Sequence, residues 1–398
     1  MLRLTIKRVV CFLLLNLFFL QIYLCAAATI RINDTYINNS VLPQESCVPE
    51  KNNEPAGDIS VEKILEEATV GQHLVIGSTE MIGEALTHEL ISKNLRPSLF
   101  VAKRREAYQK FFPAKNIDVY EGDPETDVDA LVHAAQGKKY IYLCMSFPYH
   151  LWEKQSIRVT RNVIFAAQCV GATVVFPSVF YVIGAAKKSV YTEKDATNPC
   201  CTLGKAFKRV EESLFAASQN GTCKAIVVRH GLPFGPYFCD GLMSALFESA
   251  LKKDAFSWLN RTDLPFQFCY VFDIARILVD LAIAKPPVKS ASSVHYELFN
   301  FGGYALPTVK HFLDLVAHKM RMPCKTTLYG KRTLSLLAPL HRDAAAGKDI
   351  FYSFEKSVLL DDSKLMGELK KIKGVDYTLT PLDEAIKATL LWFHKNTK

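Results

Sequence analysis

The chain has 398 residues, 49% of them hydrophobic and 22% charged, with a formal net charge of +8 at pH 7. These are globular values with enough apolar material for a sizeable core, and the length allows one large domain or two lobes. The basic excess is scattered rather than gathered into a stripe interleaved with aromatics, which argues against nucleic acid as a partner.

In chain order, Arg3, Lys7 and Arg8 precede an apolar stretch from Val9 to Cys25, and Ala26-Ala27-Ala28 follow. A basic start, an apolar middle and small residues make residues 1–28 a secretory signal peptide, with an uncleaved signal anchor as the rival. The expected location is therefore the secretory pathway, lumenal or secreted, with membrane contact only if the leader is retained. Four Asn-x-Ser/Thr triplets, at Asn33, Asn38, Asn220 and Asn260, are plausible glycan acceptors behind such a leader. Of 11 cysteines, Cys11 and Cys25 fall in the leader, and the odd remainder forbids complete internal pairing. Cys144 and Cys169 sit in apolar runs and read as buried thiols. No Cys/His spacing suggests a metal site.

Residues 29–69 read as a polar stalk ending in a short amphipathic stretch, Val61 to Ala68. From residue 70, apolar strand runs at 73–77, 98–102, 117–120, 139–144, 173–177 and 224–229 alternate with helical patterns at 82–94, 104–112, 127–136, 154–170 and 203–219. This alternation predicts an α/β fold, a doubly wound and mainly parallel sheet covered on both faces. Regularity falls after Pro236. Helices at 240–252, 272–284 and 307–321, strands near 266–271 and 296–300, and a closing helix from Asp383 to His394 predict a smaller C-terminal mixed lobe. The domains are thus 70–236 and 237–398, the second interleaved with the first.

The run Leu74-Val75-Ile76 meets Gly77, a short loop, and then Ile82-Gly83 opening a helix. Such a strand-to-helix turn cradles a dinucleotide pyrophosphate on the helix N-terminus when glycines sit at the right spacing. Gly77 and Gly83 fit the outer places, but the middle place holds Glu80, whose carboxylate adds bulk and negative charge where a phosphate would approach. The next strand, Ser98 to Ala102, ends in Lys103-Arg104-Arg105 with no acid. A base there suits a ribose 2′-phosphate, so NADP(H) is favoured over NAD(H). The plainer reading is a solvated basic helix start.

Further along stand Tyr120-Glu121-Gly122-Asp123-Pro124, Phe176-Pro177-Ser178, Tyr181-Val182-Ile183-Gly184, Pro233-Phe234-Gly235-Pro236, Tyr270 to Arg276, and Phe299-Asn300-Phe301-Gly302-Gly303. In this order and spacing, roughly residues 70–395 resemble the extended short-chain dehydrogenase/reductases, the NAD-dependent epimerase/dehydratase group. Phe147-Pro148-Tyr149-His150-Leu151-Trp152 and Tyr377 to Leu382 resemble an atypical, mostly bacterial-type branch of it. The resemblance implies that Gly77, Ser78, Ile82 and Gly83 face the pyrophosphate, Arg104 the ribose phosphate and Asp123 the adenine. It implies that Cys144 and Met145 line the cofactor, that Leu232 and Pro233 pass near the nicotinamide, that Ser178 binds a substrate oxygen, and that Lys205 bonds the nicotinamide ribose. The bland alternatives are an exposed helix residue for Lys205, a helix cap for Asp273 and an ion pair for Arg229. Ser178, at the carboxyl end of a strand, is expected to face the ligand crevice.

One departure stands out. The superfamily places a tyrosine four residues before its lysine, as a proton-exchanging phenol. Four residues before Lys205 stands Cys201, and before Lys208 stands Gly204. A thiol could exchange a proton, but its side chain is much shorter, and the plain reading of Cys201 is an ordinary thiol or half of a vicinal pair with Cys200. Tyr149, Tyr181 and Tyr191 are candidate replacement acids; Tyr181 is expected to pack before Gly184, and Tyr191 to lie in a surface loop. Three functions follow as expectations: an oxidoreductase acting on a small alcohol or carbonyl, a non-catalytic binding or scaffold protein, and an epimerase or dehydratase with tightly held cofactor. A homodimer through helices such as 154–170 is expected by analogy alone.

Overall fold

The computed structural model describes residues 66–102, 117–237, 241–285, 295–339 and 342–396. The leader, most of the polar stalk, Asn33, Asn38 and Arg104 with its basic neighbours lie outside these residues, as does the helical pattern expected at 104–112.

Seven parallel strands form the central sheet: β1 (His73–Ile76), β2 (Ser98–Val101), β3 (Asp118–Glu121), β4 (Tyr140–Leu143), β5 (Thr173–Val179), β6 (Lys224–His230) and β7 (Tyr296–Phe301). Their order across the sheet is β3-β2-β1-β4-β5-β6-β7. The inner strands are buried along their length because helices cover both faces; that is why His-Leu-Val-Ile, Tyr-Ile-Tyr-Leu and Thr-Val-Val-Phe-Pro-Ser-Val read as unbroken runs rather than alternating ones. The six strands expected up to residue 229 lie within two residues of their predicted bounds.

Alternate side chains of each strand divide between two apolar layers. Leu74, Ile76, Ile141, Val174, Phe176 and Val227 pack under α2 (Val128–Ala135), α3 (Trp152–Val170) and α4 (Thr202–Gln219). Val75, Leu99, Tyr142, Val175, Ile226 and Val228 pack under α1 (Met81–Ser92), α5 (Val271–Ala284) and α6 (Ser363–Lys373). Local signals set the helix ends. Asp127 accepts the Ala130 N–H at the start of α2, and α3 stops at Gly171, whose φ of +73° is the left-handed cap a glycine adopts without strain.

The lobe has its own core. Strands Leu232–Phe234, Phe266–Tyr270 and Tyr304–Leu306 make a small sheet, and Phe256–Leu259 pairs in parallel with Thr326–Tyr329. Aromatics fill it: Phe268 stacks on Phe312 with centroids 4.1 Å apart, and Trp258 meets Phe354 edge to face. The interleaving is mutual. β7, α5 and α6 return to the central sheet, while Val179 to Ile183, Tyr191 and Cys201 are buried in the lobe core.

The two lobes are also tied by buried polar groups. Asp273, in the first turn of α5, is fully buried and does not cap its own helix as expected; it accepts from Arg276, from the Tyr304 hydroxyl and from both the N–H and hydroxyl of Thr380. That holds the chain near Tyr377–Thr380 against α5. Asp280, one helical stretch later, pairs with Lys93 at 3.5 Å and Lys373 at 3.1 Å, joining α1 to α6.

Candidate functional site

Strand order reverses direction between β1 and β4, which places a crevice beyond their carboxyl ends; ligands of open α/β sheets bind at such a switch point. The chain turns there through Gly77, at φ +83°. A Cβ on Gly77 would stand 2.7 Å from the Cys144 carbonyl carbon and oxygen, and one on Gly83 would stand 2.0 Å from the Gly77 oxygen. Gly77 is therefore fixed by backbone contact with the chain just after β4, and Gly83 by backbone contact with Gly77 inside the turn. Ser78 is buried, and its Oγ has no hydrogen-bond partner among the described residues. The structure thus brings Gly77, Ser78, Gly83, Cys144 and Met145 to one place, with Ile82 half-buried beside them.

In backbone shape this turn fits a dinucleotide: a close-packed glycine cradle, a helix start and an unsatisfied buried hydroxyl. Its charge fits less well. Glu80 is the N-cap of α1, extended at φ −87° and ψ 151°, and its side chain does not cap the helix. Its carboxylate lies near enough to Glu84 and Cys144 to raise both. Burial, and then Glu80, pushes Glu84 up to about 8, and the same two causes push the Cys144 thiol well above its ordinary range. At neutral pH, then, Glu84 is protonated where it stands beside Glu80 at the helix start.

A consequence for stability follows. An unfolded Glu84 releases its proton near pH 4.5, whereas the folded chain holds it to about pH 8. Below pH 4.5 the group costs nothing; as pH rises to about 8 the unfolded state is progressively favoured. Glu84→Gln is therefore expected to exceed the parent by about 2–4 kcal/mol at pH 8 and to differ little at pH 5. Urea melts at the two pH values check this; an equal difference at both would show Glu84 to be ionised in the fold.

Other residues singled out in the sequence lie elsewhere. Asp123 is exposed, and its Oδ1 accepts the Glu125 N–H within its own turn. Lys205 is exposed on the first turn of α4; its N–H donates to the Cys201 carbonyl, and its side chain has no hydrogen-bond or ion-pair partner among the described residues. Pro233 lies in the lobe, opposite Cys269 in the small sheet. Ser178 does not face an opening: it is fully buried, and its Oγ donates to Glu211 Oε1 at 2.6 Å. Glu211 in turn takes a two-pronged contact from Arg229, the structural ion pair foreseen for that arginine. Proline at position 177 and the register of β5 beside β6 set Ser178 level with Arg229, under α4.

Cys201 is also turned inward. It is fully buried as the N-cap of α4, and its Sγ accepts the Gly204 N–H at 3.2 Å, because a Ser-like side chain in that place satisfies an otherwise unpaired helix-start amide. Burial raises the thiol, so it is not poised to ionise. The seven described cysteines are all free thiols; Cys169, expected inside, is exposed. Tyr181 packs as expected in the helical turn before Gly184. Tyr191 is not in a surface loop but is the buried residue of a two-residue strand, where its hydroxyl accepts from the Lys187 and Lys188 N–H groups.

Beside α4's first residue the structure adds a constellation the sequence did not disclose. Tyr149 donates to Asp349 Oδ2 at 2.5 Å, and the Thr202 N–H donates to the same oxygen at 2.7 Å. Asp349 and Lys348 come from helix Arg342–Ile350, and with Tyr149, Thr202 and Ala345 they line a hollow of about 410 Å³. Burial, and then Asp349, raises the Tyr149 phenol far above its usual range, so it acts as a donor there. The only sequence hint was Tyr149 itself; its carboxylate partner is 200 residues away.

Comparison with known proteins agrees with this architecture. MoeE5, solved with UDP-glucose and NAD, superposes with a TM-score of 0.63 at 18% identity, covering 82% of this chain and 100% of that one. The dTDP-glucose 4,6-dehydratase DesIV from Streptomyces venezuelae, a double mutant with NAD bound, gives a TM-score of 0.64 at 14% identity over 81% of this chain and 97% of that one. A UDP-glucose 4-epimerase from Thermotoga maritima, solved with UDP-glucose, gives 0.62 at 18% identity over 82% and 99%. At these identities the likeness is one of fold. Curated proteins offer no match. The family model for the NAD dependent epimerase/dehydratase family matches residues 73–297, a span that includes six of the seven strands of the central sheet and the first two residues of β7, and the chain belongs to that family.

Proposed function

We propose that the chain binds a nicotinamide dinucleotide at the β1–β4 crevice and acts on a hydroxyl-bearing carbon of a sugar-nucleotide-type substrate, as an epimerase, dehydratase or related oxidoreductase. The observation that carries this is the turn at Gly77 and Gly83. Gly77 packs on the backbone just after β4 and Gly83 on Gly77 itself, and Ser78 holds a buried hydroxyl without a partner among the described residues. The family membership and the NAD-bound structural neighbours support the same reading.

In this reading the dinucleotide, when bound, supplies a hydride acceptor. Gly77 and Gly83 let its pyrophosphate approach the start of α1, with the Ser78 hydroxyl as a further donor. Protonated Glu84 adds no charge to that place, whereas Glu80 opposes a phosphate. The finer choice of NADP(H) over NAD(H) rests on the run Lys103-Arg104-Arg105, bases where an acid would suit NAD; the structural neighbours quoted above carry NAD. Native mass spectrometry of the purified chain, followed by titration with NAD and NADP, tests both points. A co-purifying dinucleotide, or binding in titration, is the expected result. A folded chain with no binding at millimolar concentrations of either would overturn the reading. Product analysis with UDP-glucose, UDP-glucuronic acid and dTDP-glucose then separates net oxidation from epimerisation and dehydration.

A second reading, a non-catalytic dinucleotide-binding or scaffold protein, is favoured by the inward-turned Cys201, which leaves no proton-exchanging group at the family's tyrosine position. Binding without turnover across that panel would select it. The leader places the chain in the secretory pathway in this proposal, and N-terminal sequencing of the exported protein tests its removal. Of the two described glycan acceptors Asn220 is exposed, whereas the Asn260 amide already donates to Phe354 O at 2.8 Å. The homodimer would use α3 and α4, where Phe165 and Phe215 are about half exposed; light scattering decides it.

A further inference from the structure

The start of α4 is where the family's proton-exchanging side chain would project, and in this chain that position is filled by a buried thiol. What reaches the same helix end from outside is Asp349. Three separate parts of the chain meet there: Tyr149 from the turn after β4, Thr202 from α4 and Asp349 from helix Arg342–Ile350. Both bonds to Asp349 fall on one oxygen, Oδ2, while Oδ1 has no partner among the described residues. Asp349 forms no ion pair among them either, so it is not a structural salt-bridge carboxylate like Glu211. One oxygen is thus anchored by a helix-start amide and a phenol, and the residue itself lines the hollow of about 410 Å³ together with the cation Lys348. A carboxylate held at one oxygen and open at the other can receive a hydroxyl proton.

We propose that this hollow takes a sugar-type hydroxyl ligand and that Asp349 accepts the hydroxyl proton, serving the position from which Cys201 is turned away. The substrate class rests on the functional reading given above; the site does not. In the step, the ligand O–H bond breaks, its proton passes to Oδ1, and the electron pair stays on the ligand oxygen. The two-electron oxidant that completes any oxidation is the nicotinamide dinucleotide. Tyr149 is a positioning residue, acting through Oδ2.

The test uses the full chain without added cofactor and two probes, UDP-glucose and UDP, which differ by the hexose. Calorimetric titration is expected to show UDP-glucose bound more tightly than UDP. Asp349→Asn, which keeps an oxygen to accept from Thr202, is expected to weaken UDP-glucose about ten- to hundredfold and to leave UDP unchanged. A thermal melt of the variant matching the parent confirms that the fold is intact. Tyr149→Phe is expected to give a smaller loss confined to UDP-glucose. Equal binding of the two probes by the parent, binding of neither, or an Asn variant that discriminates as the parent does would each overturn the proposal. So would dinucleotide-loaded protein whose turnover survives Asp349→Asn but is lost in Cys201→Ala. Titration with NAD is run separately: its failure sinks the crevice reading while the hexose discrimination still stands or falls by itself.

Discussion

Replacing Glu80 with glycine is expected to tighten nicotinamide-dinucleotide binding by about tenfold. Glu80 stands at the N-cap of α1, beside the turn whose glycines meet the end of β4. Two unit charges about 5 Å apart repel by roughly 3 kcal/mol at an effective dielectric of about 20, and salt and exposure reduce that by about half. The remainder corresponds to the stated gain in affinity. The backbone tolerates the change, since φ −87° and ψ 151° are ordinary values and glycine is an acceptable N-cap. Glu80→Gln separates the two parts of the effect: it removes the charge and keeps the bulk. If charge dominates, both variants tighten binding, and the gain shrinks as salt is raised. If bulk dominates, only glycine does. Unchanged or weaker binding in the glycine variant would show that phosphate does not approach this helix start.

The same substitution also weighs the two functional readings. A single Cβ on Gly83 would stand 2.0 Å from the Gly77 oxygen, so the fold requires the glycines whether or not a cofactor binds. The coexistence of cradle and carboxylate fits a site whose affinity is held down by charge rather than by shape. Restoration by Glu80→Gly would then mark a weakened enzyme or a cofactor sensor. Failure would leave the glycines to the packing of β1 against β4.

The sheet was legible because each inner strand is buried on both faces and so writes itself as an apolar run, from Leu74 to Ile76 and from Thr173 to Val179. The crevice was legible for the same reason: a turn that forces Gly77 to φ +83° leaves a glycine in the sequence. What was not legible is whatever depends on partners distant in the chain. Ser178 has the position of a ligand-facing residue, and only the register of β5 on β6 shows that it belongs to Glu211 and Arg229. Helix Arg342–Ile350 has a short, mostly small and polar sequence, so no periodicity announces it, and nothing local says that Asp349 meets Thr202 across 147 residues. Cys201 was visible as a missing tyrosine, but its use as a helix cap shows only in the folded chain, where the Gly204 N–H donates to its Sγ.

The largest loss of stability is expected from breaking the Glu211–Arg229 pair. Arg229 Nε lies 2.9 Å from Oε1 and Nη2 lies 2.5 Å from Oε2, and the side chains are 6% and 5% exposed. Taking these charges out of water costs several kcal/mol each, and the two-pronged geometry with the Ser178 hydroxyl on Oε1 is what offsets it. Arg229→Met strands a buried carboxylate and Glu211→Leu strands a buried guanidinium, so each alone is expected to cost about 3–5 kcal/mol. The double variant, with Ser178→Ala added to remove the donor left without an acceptor, is expected to recover most of that loss, because an apolar trio of similar size leaves no charge in the layer between β5, β6 and α4. Urea denaturation of the parent, the three single variants and the combined variant gives the coupling. Single losses that simply add in the combined variant would show that the pair contributes as two independent side chains. Ser178→Ala alone discriminates function as well: as a network member it should lower the melting temperature and leave UDP-glucose binding unchanged. A ligand-binding serine would do the reverse, losing affinity in a chain as stable as the parent.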